Sequence, residues 1–474
     1  MASPAAVLSS APAWRVSPGV LVALLAALGF AGWAAFEPRL FNDGDTGWHL
    51  ATARWMFANG RVPTSDPFSW TALGKPWQAH EWLAEVLLGL GERVGGWRGV
   101  ALVPGLAIGA MVAIVGAEAA RWLDWRKVII ALTLLVGALL PFCLARPHVI
   151  AWPLLAGWTV LLLRAREGGH APPLAAALVM LVWANLHASW LLGLGIAGVF
   201  GLEALVAGPD RRGVLIDWGS FGLLSGLAVL LTPQGFEGVT FPFYVSGMQA
   251  LNIIAEWRPT SFVRYPAFEA WLLALVAVAL WRGVRVPVLR LALIVGLMHL
   301  AFQHERHQAV LVIVATLLMV RPIGEGFGRP APVASLPLGW LPPLLLAGLI
   351  AMRLAIPTHR PETRANPARA IAAVPASLRA AHVFNSYSIG GTLIFHGIRP
   401  FVDGRADLYG DALVKDFWAM HQGDMPRFRS VAAARDIRWT ILERKAPLAR
   451  ALDREPGWKR LYADRFAVVH VRQR

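Results

Sequence analysis

Long apolar runs, more than any motif, limit what this chain of 474 residues can fold into. A run of about 17 to 25 apolar residues is long enough to cross the hydrocarbon core of a bilayer as a helix. Such runs dominate the sequence up to residue 356, and 56% of all residues are hydrophobic whereas 15% are charged. A water-soluble globular protein has fewer apolar and more charged residues. The sequence therefore predicts a polytopic α-helical membrane protein.

Eleven segments have the apolar character of transmembrane helices, several of them near the lower length limit. They are residues 18–36, 99–117, 128–144, 149–163, 172–187, 190–206, 214–232, 267–281, 286–302, 308–320 and 336–356. The stretch 172–206 would be about 52 Å long as a single helix, which exceeds the thickness of a bilayer. We therefore divide it at 185–189, in the sequence "NLHAS".

Lys and Arg residues are concentrated in alternate loops, which is typical of loops that face the cytoplasm. The basic residues of these loops are Arg121, Arg126, Lys127, Arg164, Arg166, Arg211, Arg212, Arg282, Arg285, Arg321 and Arg329. The intervening loops and the segment after residue 356 are therefore predicted to face outward. This assignment divides the chain into a membrane domain, 1–356, and a soluble C-terminal domain outside the cytoplasm, 357–474.

The first outer loop, 37–98, is unusually long and has helical patterns of its own. Residues 46–58 have helical apolar spacing and are followed by Asn59-Gly60, which is a helix stop signal. A second amphipathic helix is predicted over residues 78–94.

The C-terminal domain mixes strand and helix patterns. "TLIFHG", "WTILE" and "FAVVHVR" predict strands, whereas residues 411–421 and 426–435 predict helices. We therefore expect a small α/β domain.

The net charge of +15 does not indicate a nucleic-acid-binding protein, because the sequence has no basic stripe interleaved with base-reading residues. The basic loops and contact with anionic membrane lipid explain the charge better. Cys143 is the sole cysteine, so an internal disulfide and a thiolate metal site are both excluded.

Ionisable residues gather in the predicted outward loops, close to the ends of the apolar segments. Such residues are costly at membrane depth unless they pair or line a wet cavity, so their collection on one face indicates a functional site. The alternative is ordinary interfacial charge. The candidate site residues are Asp43, Asp45, His49, His80, Glu81, Arg146, His148, His187, His304, Glu305, Arg306 and His307.

Asp45 is predicted to be the N-cap of the helix that begins at Thr46, where the helix dipole would keep its carboxylate ionised at neutral pH. His49 follows one helical turn later on the same face. Asp43 and Asp45 could also share a divalent cation through their oxygens. The alternative is that Asp45 only caps the helix and Asp43 is only solvated.

His80 and Glu81 are predicted acid, base or ligand groups, although "HEWLAEV" lacks the second histidine of the zinc-protease pattern. Arginine is suited to bidentate contact with phosphate, which Arg146 and Arg306 could make. The alternatives are a solvated interfacial helix for the first pair, and snorkelling or a salt bridge to Glu305 for the arginines. His187 is interpreted equally well as a hydrogen-bonded turn residue.

Two stretches resemble a known superfamily: "DGDTGWHLATARWMFANGRVPTSDPFSW" with "GKPWQAHEWLAEVLL" near the start, and "VFNSYSIGGTLIFHGIRPFVDGRADLYGD" near the end. They are similar to the C-type glycosyltransferases, in a branch of bacterial membrane proteins, and more distantly to oligosaccharyltransferase catalytic subunits. The stretches "NLHASW", "TPQG" and "AEWRPTSF" also resemble this branch.

The resemblance implies an enzyme of the bacterial inner membrane that takes a sugar from a polyprenyl-phosphate carrier and passes it to a glycan, lipid or protein on the outer face. It implies that Asp45, with Asp43 as its partner, acts as base or metal ligand. The second outer loop, "ARPH", lacks the acidic pair of oligosaccharyltransferases, and "NSYSIGG" lacks their sequon-reading residues, which argues against protein N-glycosylation. In "VDGRADLY", the side chains of Asp403, Arg405, Asp407 and Tyr409 either reach this site or form a polar turn with internal ion pairs.

Two other functional classes remain open on the sequence. The chain could be a transporter or flippase of lipid-linked sugars, which inverted repeats and mid-span charges would indicate. It could also be a catalytically silent assembly subunit with the same fold.

Overall fold

Helices account for most of the chain in the computed structural model, which describes residues 14–331 and 333–473. The helices of the N-terminal three quarters are α1 (Pro18–Phe36), α2 (Thr46–Asn59), α3 (Trp82–Gly95), α4 (Trp97–Ala119), α5 (Trp125–Leu139), α6 (Pro147–Glu167), α7 (Ala177–Leu186), α8 (Trp190–Ala207), α9 (Arg211–Ala228), α10 (Phe236–Ser246), α11 (Pro266–Trp281), α12 (Val288–Gln303), α13 (Gln308–Phe327) and α14 (Leu341–Ala355). Each of the eleven predicted membrane segments coincides largely with one of these helices.

Among the described residues, six helices are long and apolar enough to cross a membrane. They are α1, α4, α5 with its 3-10 extension to Phe142, α6, α8, and α13 with the preceding turn from Glu305. Shorter apolar helices cover Leu174–Leu186, Pro266–Trp281, Val288–Gln303 and Leu341–Ala355. The structure is therefore that of a multi-pass membrane protein, and the count of eleven spans stays a prediction.

Small residues allow the first and fourth helices to pack closely. A Cβ atom on Gly109 would lie 2.7 Å from the Cβ of Ala31, and one on Gly116 would lie 2.7 Å from the Cβ of Ala23. Such small-residue contacts replace the hydrophobic driving force that is missing between helices in lipid. Helix α13 is buried along most of its length and forms the centre of this bundle.

The first outer loop contains α2 and α3 separated by irregular chain. Helix α2 ends at Gly60 with a φ of 66°, as the Asn59-Gly60 signal predicts. The predicted start of the second helix at residue 78 is wrong, because α3 begins at Trp82. Residues 77–81 instead form a turn that contacts the later loops through Gln78 and Ala79.

The C-terminal part forms a four-stranded sheet with short helices around it. Its strands are β1 (Val383–Asn385), β2 (Trp439–Glu443), β3 (Trp458–Ala463) and β4 (Ala467–Arg472), in the order β1-β2-β4-β3. Strands β1 and β2 are parallel, and the other two pairs are antiparallel. The helices are α15 (Ala368–Ala372), α16 (Ala376–Arg379), α17 (Gly390–Phe395), α18 (Ala406–His421), α19 (Met425–Ala434) and α20 (Pro447–Leu452).

The strand prediction for "TLIFHG" is wrong, because these residues lie mostly in α17. Residues Gly390 to Ile394 are all buried, so the segment has no exposed face that would show a strand's alternation. It packs against α2, and a Cβ atom on Gly47 would overlap the carbonyl of Gly391. The close backbone approach therefore overrides the strand propensity of Thr392 and its neighbours.

The two ends of the chain share one hydrophobic core. Trp48 and Trp77 of the first outer loop belong to the same buried cluster as Phe384, Phe401 and Phe417 of the C-terminal part. The sheet lies wholly after residue 356, but its surrounding core does not. The division into a membrane domain, 1–356, and a C-terminal domain, 357–474, therefore stays a prediction from the sequence.

Candidate functional site

Arg146 lies at the centre of a group of three carboxylates that come from two other parts of the chain. It directly precedes α6, and its Nη1 is 3.1 Å from Glu256 while its Nε is 3.5 Å from Asp43. Its Nη2 donates to the carboxylate of Asp45. The Arg146 side chain stays 19% exposed and that of Asp45 14% exposed, so the group is accessible from outside.

Asp45 occupies the predicted N-cap position of α2, which begins at Thr46, but the predicted capping by its side chain is wrong. Its side chain makes no cap hydrogen bond, because its carboxylate is turned to Arg146 instead. Burial raises the pKa of Asp45 to about 7, and the negative charge of Asp43 adds to the rise against the opposing charge of Arg146. Asp45 is therefore only partly ionised at neutral pH, contrary to the expectation from the helix dipole.

The pKa values of the three carboxylates are not all shifted in the same direction. Burial also raises the pKa of Asp43, whose carboxylate accepts a hydrogen bond from the hydroxyl of Thr46 at 3.3 Å. Burial opposes ionisation of Glu256 too, but the charges of Arg146 and Arg306 outweigh it and hold its pKa at about 2. One guanidinium thus faces three carboxylates, and the pKa values of the two buried aspartates are raised while that of Glu256 is lowered.

The C-terminal part closes over Asp45 through its backbone. A Cβ atom on Gly404 would overlap the Asp45 carboxylate, so only glycine allows this approach without a shift. Gly404 lies in "VDGRADLY", whose flanking side chains point into a separate network. Arg405 donates to Asp403 at 2.7 Å and to Asp66 at 2.8 Å, and all three side chains are inaccessible. The reading of this stretch as a turn with internal ion pairs agrees with these contacts.

A second group surrounds Glu81, with three imidazoles near one carboxylate. The Nε2 atoms of His187, His80 and His49 lie 3.5, 3.9 and 4.0 Å from its oxygens. Burial raises the pKa of Glu81 to about 7. Burial also lowers the pKa of each of these histidines, so their imidazoles are neutral at physiological pH. His49 therefore faces Glu81 and Glu85, with its Nδ1 3.2 Å from Glu85, rather than Asp45.

Arg306 carries a guanidinium without a hydrogen-bond partner among the residues that the structure describes. It lies 4.5 Å from the centre of the Trp257 ring, and Trp257 directly follows Glu256 in the sequence. Its charge lowers the pKa of both Glu81 and Glu256, so it acts on both carboxylate groups. Arg306 is thus available to an anionic ligand.

The other predicted site residues serve as packing and hydrogen-bonding groups. Glu305 accepts from Arg264 at 2.7 Å and from Tyr265 at 2.7 Å, so the alternative of a salt bridge between Glu305 and Arg146 does not hold. His304 donates to the Trp257 carbonyl, and His148 donates to the Phe142 carbonyl. His307 has no hydrogen-bond partner for its Nδ1 within the described chain.

The site does not fit a resident divalent cation as it stands. Asp43, Asp45 and Glu256 offer the oxygens that such an ion prefers, but the Arg146 guanidinium lies between them and forms an ion pair with each. An ion would have to displace Arg146 before it could bind these carboxylates.

Sequence reasoning missed three functional contacts. Glu256 was not among the candidates, although it lies in the family-like stretch "AEWRPTSF". Glu85 follows Glu81 by one helical turn, a spacing that could have indicated the pair. Nothing in the sequence around Gly404 indicates its contact with Asp45.

Comparison with solved structures identifies similar folds. The archaeal oligosaccharyltransferase AglB from Archaeoglobus fulgidus, in complex with an inhibitory peptide and a dolichol-phosphate, matches with a TM-score of 0.56 at 12% identity, over 90% of this chain and 69% of that one. The Archaeoglobus fulgidus oligosaccharyltransferase tethered with an acceptor peptide matches with a TM-score of 0.51 at 11% identity, over the same shares. ArnT from Cupriavidus metallidurans bound to undecaprenyl phosphate matches at 14% identity over 96% of this chain and 98% of that one, but its TM-score of 0.37 adds no support.

No protein-family model and no curated protein sequence matches the chain. The similarity to the oligosaccharyltransferase structures is therefore one of fold. The fold agrees with the one that the resemblance to the C-type glycosyltransferases implies.

Proposed function

We propose that this chain is a membrane glycosyltransferase that moves a sugar from a polyprenyl-phosphate-linked donor to a glycan, lipid or protein acceptor outside the cytoplasm. The observation that carries the proposal is the contact of Asp43 and Asp45 with Arg146, a basic group at the end of a later apolar segment. The proposed location is the bacterial inner membrane, with this site facing the periplasm. The fold similarity is consistent with the proposal.

Asp45 is the proposed general base. A pKa of about 7 suits a group that must be ionised before reaction and hold a proton afterwards. The acceptor oxygen would form a bond to the anomeric carbon while the bond from that carbon to the carrier phosphate oxygen breaks. The proton passes from the acceptor hydroxyl to Asp45, and the electron pair of the broken bond stays on the phosphate. Direct displacement of this kind inverts the anomeric carbon.

Arg306 is the proposed group that stabilises the leaving phosphate. Its guanidinium has no protein hydrogen-bond partner in the described chain and lies over the face of the Trp257 ring. Donors aimed at the atom where charge develops lower the barrier most when they are already in place. Arg306 can therefore meet the carrier phosphate without first leaving another partner.

Glu81 is the proposed second acid or base, and its histidine neighbours hold it in place. His49, His80 and His187 have lowered pKa values, so they surround Glu81 as neutral rings at 3.5–4.0 Å without fixing its charge. The contacts of His148, His304, Glu305 and His307 support the loops that carry Arg146 and Arg306. We assign those four to positioning rather than to contact with substrate.

Arg146 is proposed to do the electrostatic work that a divalent cation would otherwise do between these carboxylates. Its fixed charge orients Asp45 and stabilises Glu256 as an anion. The proposed transfer would then proceed without an added divalent metal ion.

Mass spectrometry of envelope glycans, with and without the intact gene, tests the proposal. Loss of the gene should remove a sugar from one glycan or lipid class, and Asp45→Asn should reproduce that loss at normal protein level. Asp416→Asn, which changes an exposed aspartate, is the matched control. A flippase or a silent assembly subunit would tolerate Asp45→Asn, so an unchanged glycan profile in that variant would contradict the proposal.

A further inference from the structure

A second group of arginines lies at the predicted outer ends of α1, α4 and α14. It consists of Arg98, Arg353 and Arg360, and it shares no ionic partner with Arg146. None of the three forms a salt bridge within the described chain. The glutamates of the adjoining segments, Glu37 and Glu92, are already paired with Arg39 and Arg54.

Arg353 is the clearest member, because its charge is buried without a partner. The residue is 2% exposed, and its Nε and Nη2 atoms have no hydrogen-bond partner. Its guanidinium lies 4.7 Å from the ring centre of Phe36 at the end of α1. A buried charge without a hydrogen-bonded counter-charge is unfavourable, so Arg353 requires an anion that the protein itself does not supply.

Snorkelling does not account for this position. A snorkelling arginine buries its aliphatic stem and keeps its charged head in water. Two of the three guanidinium nitrogens of Arg353, Nε and Nη2, are buried instead, and Phe36 lies against the guanidinium.

Arg360 and Arg98 add two further guanidiniums to the group. Arg360 lies 3.6 Å from the ring centre of Trp97, and its Nε is buried without a partner. Burial lowers the pKa of Arg360 to about 10. Arg98 makes only a weak hydrogen bond of 3.4 Å to the Gly95 carbonyl and lies near enough to Arg353 for their charges to repel. Arg98 and Arg353, whose charges repel, stay together more easily when an anion lies near both.

We propose that Arg98, Arg353 and Arg360 form a binding site for the phosphate of an anionic phospholipid at the outer membrane surface. Guanidinium groups match phosphate oxygens with several directed donors. The ends of the apolar helices α1 and α14, with Phe36 and Trp97 beside them, mark the boundary between acyl chains and headgroups. A lipid is therefore favoured over a soluble phosphate, and the site is separate from the one proposed for transfer.

Thermal unfolding of the purified full chain tests the site. In maltoside micelles, which carry no phosphate, phosphatidylglycerol should raise the Tm of the wild type more than phosphatidylcholine does. Arg353→Met should raise the Tm in micelles without lipid, because it removes the uncompensated charge. It should also weaken the apparent affinity for phosphatidylglycerol about tenfold, as expected for the loss of charged hydrogen bonds.

Two further variants make the result decisive. Arg360→Met changes a residue that is not fully buried and should weaken the phosphatidylglycerol effect without a cost in folding. Arg39→Gln changes an arginine whose side chain is 80% exposed in the same region and should leave the effect intact.

Each remaining outcome overturns the proposal. If Arg353→Met lowers the Tm without lipid and keeps the wild-type response to phosphatidylglycerol, the arginine is a structural residue only. If inorganic phosphate alone raises the Tm as much as phosphatidylglycerol does, the site takes free phosphate rather than lipid. If neither probe changes the Tm of the wild type, there is no such site.

Discussion

Two arginines, Arg405 and Arg146, each lie between carboxylates from distant parts of the chain, yet their surroundings differ. Arg405 donates from three nitrogens to Asp403 and Asp66, and the ring of Trp77 lies 4.6 Å away. The side chain of Arg405 is 1% exposed and that of Asp66 is 0% exposed. Arg146 is 19% exposed and faces three carboxylates rather than two. Arg405 is buried and each of its three nitrogens has a hydrogen-bond acceptor, whereas Arg146 is partly exposed to solvent.

The difference separates a contact that holds the fold from one that is suited to chemistry. At Arg405 the first outer loop is fixed to the C-terminal part, and Tyr409 donates to Asp403 to complete the network. At Arg146, burial together with the neighbouring carboxylates raises the pKa of Asp43 and brings that of Asp45 to about 7, where a proton can be exchanged with a substrate. Strongly perturbed acids in an accessible site are typical of functional sites.

Removal of Arg405 should give the largest loss of stability. Arg405→Ala leaves Asp66 and Asp403 buried without a counter-charge, and we expect the free energy of unfolding to fall by about 3–5 kcal/mol. Denaturant unfolding of the purified protein in detergent measures it. A loss no greater than that of Arg146→Ala would erase the distinction between the two arginines.

Removal of Arg146 should cost less and should create a cation site. Because the freed carboxylates are partly exposed and can take up protons, we expect Arg146→Ala to lose about 1–2 kcal/mol. Mn²⁺ should then raise the Tm of Arg146→Ala but not that of the wild type or of Arg146→Lys. Comparable stabilisation of the wild type by Mn²⁺ would show that Arg146 does not take the place of a cation, whatever the result for transfer.

The rate of transfer should depend on pH through the raised pKa values. With Asp45 as the base, the rate should rise about tenfold per pH unit below pH 7 and level off above it. The transfer rate of Glu81→Gln should keep this dependence on pH, because Asp45 is unchanged in that variant. A rate that is independent of pH between about 5 and 8 would exclude Asp45 as the base.

The same groups affect stability with the opposite sign. Their pKa values in the folded chain lie above the ordinary values of 3.8 and 4.5, so the folded chain holds protons that the unfolded chain has released. Their contribution to stability is fully present below about pH 4 and is lost as the pH rises through about 7. Asp45→Asn should reduce this dependence, as measured by the Tm across the same pH range.

The backbone contact at Gly404 should give the smallest effect. Gly404→Ala forces the Asp45 carboxylate to move, and we expect about a tenfold lower rate of transfer with little change in Tm. Gly137→Ala adds a methyl group where no atom lies within 4 Å and is the control. Equal rates for the two variants would mean that Asp45 need not be held in its present position.

Local patterns in the sequence predicted much of the fold. The apolar segments, the stop of α2 at Gly60, and strands β2 and β4 each depend on neighbours in sequence, and these predictions are confirmed. The predicted strand at "TLIFHG" failed because its fate is decided by contact with α2, more than 300 residues earlier in the chain.

The pairing of charges within the site could not be predicted in the same way. The sequence gathered Asp45, Arg146 and Glu305 on one face, but it offered Glu305 as the partner of Arg146. The structure pairs Arg146 with Asp43, Asp45 and Glu256, and pairs Glu305 with Arg264. Charge bias predicts the side of the membrane on which a residue lies, whereas its partner depends on how the helices are packed.

The most direct test measures transfer and stability together for Asp45→Asn, with Asp403→Asn as its counterpart in the Arg405 network. We expect Asp45→Asn to lose transfer by at least about a hundredfold while its Tm stays at or above that of the wild type. Asp403→Asn should lower the Tm clearly. Wild-type transfer by Asp45→Asn, or a loss of transfer that accompanies unfolding only, would contradict the account.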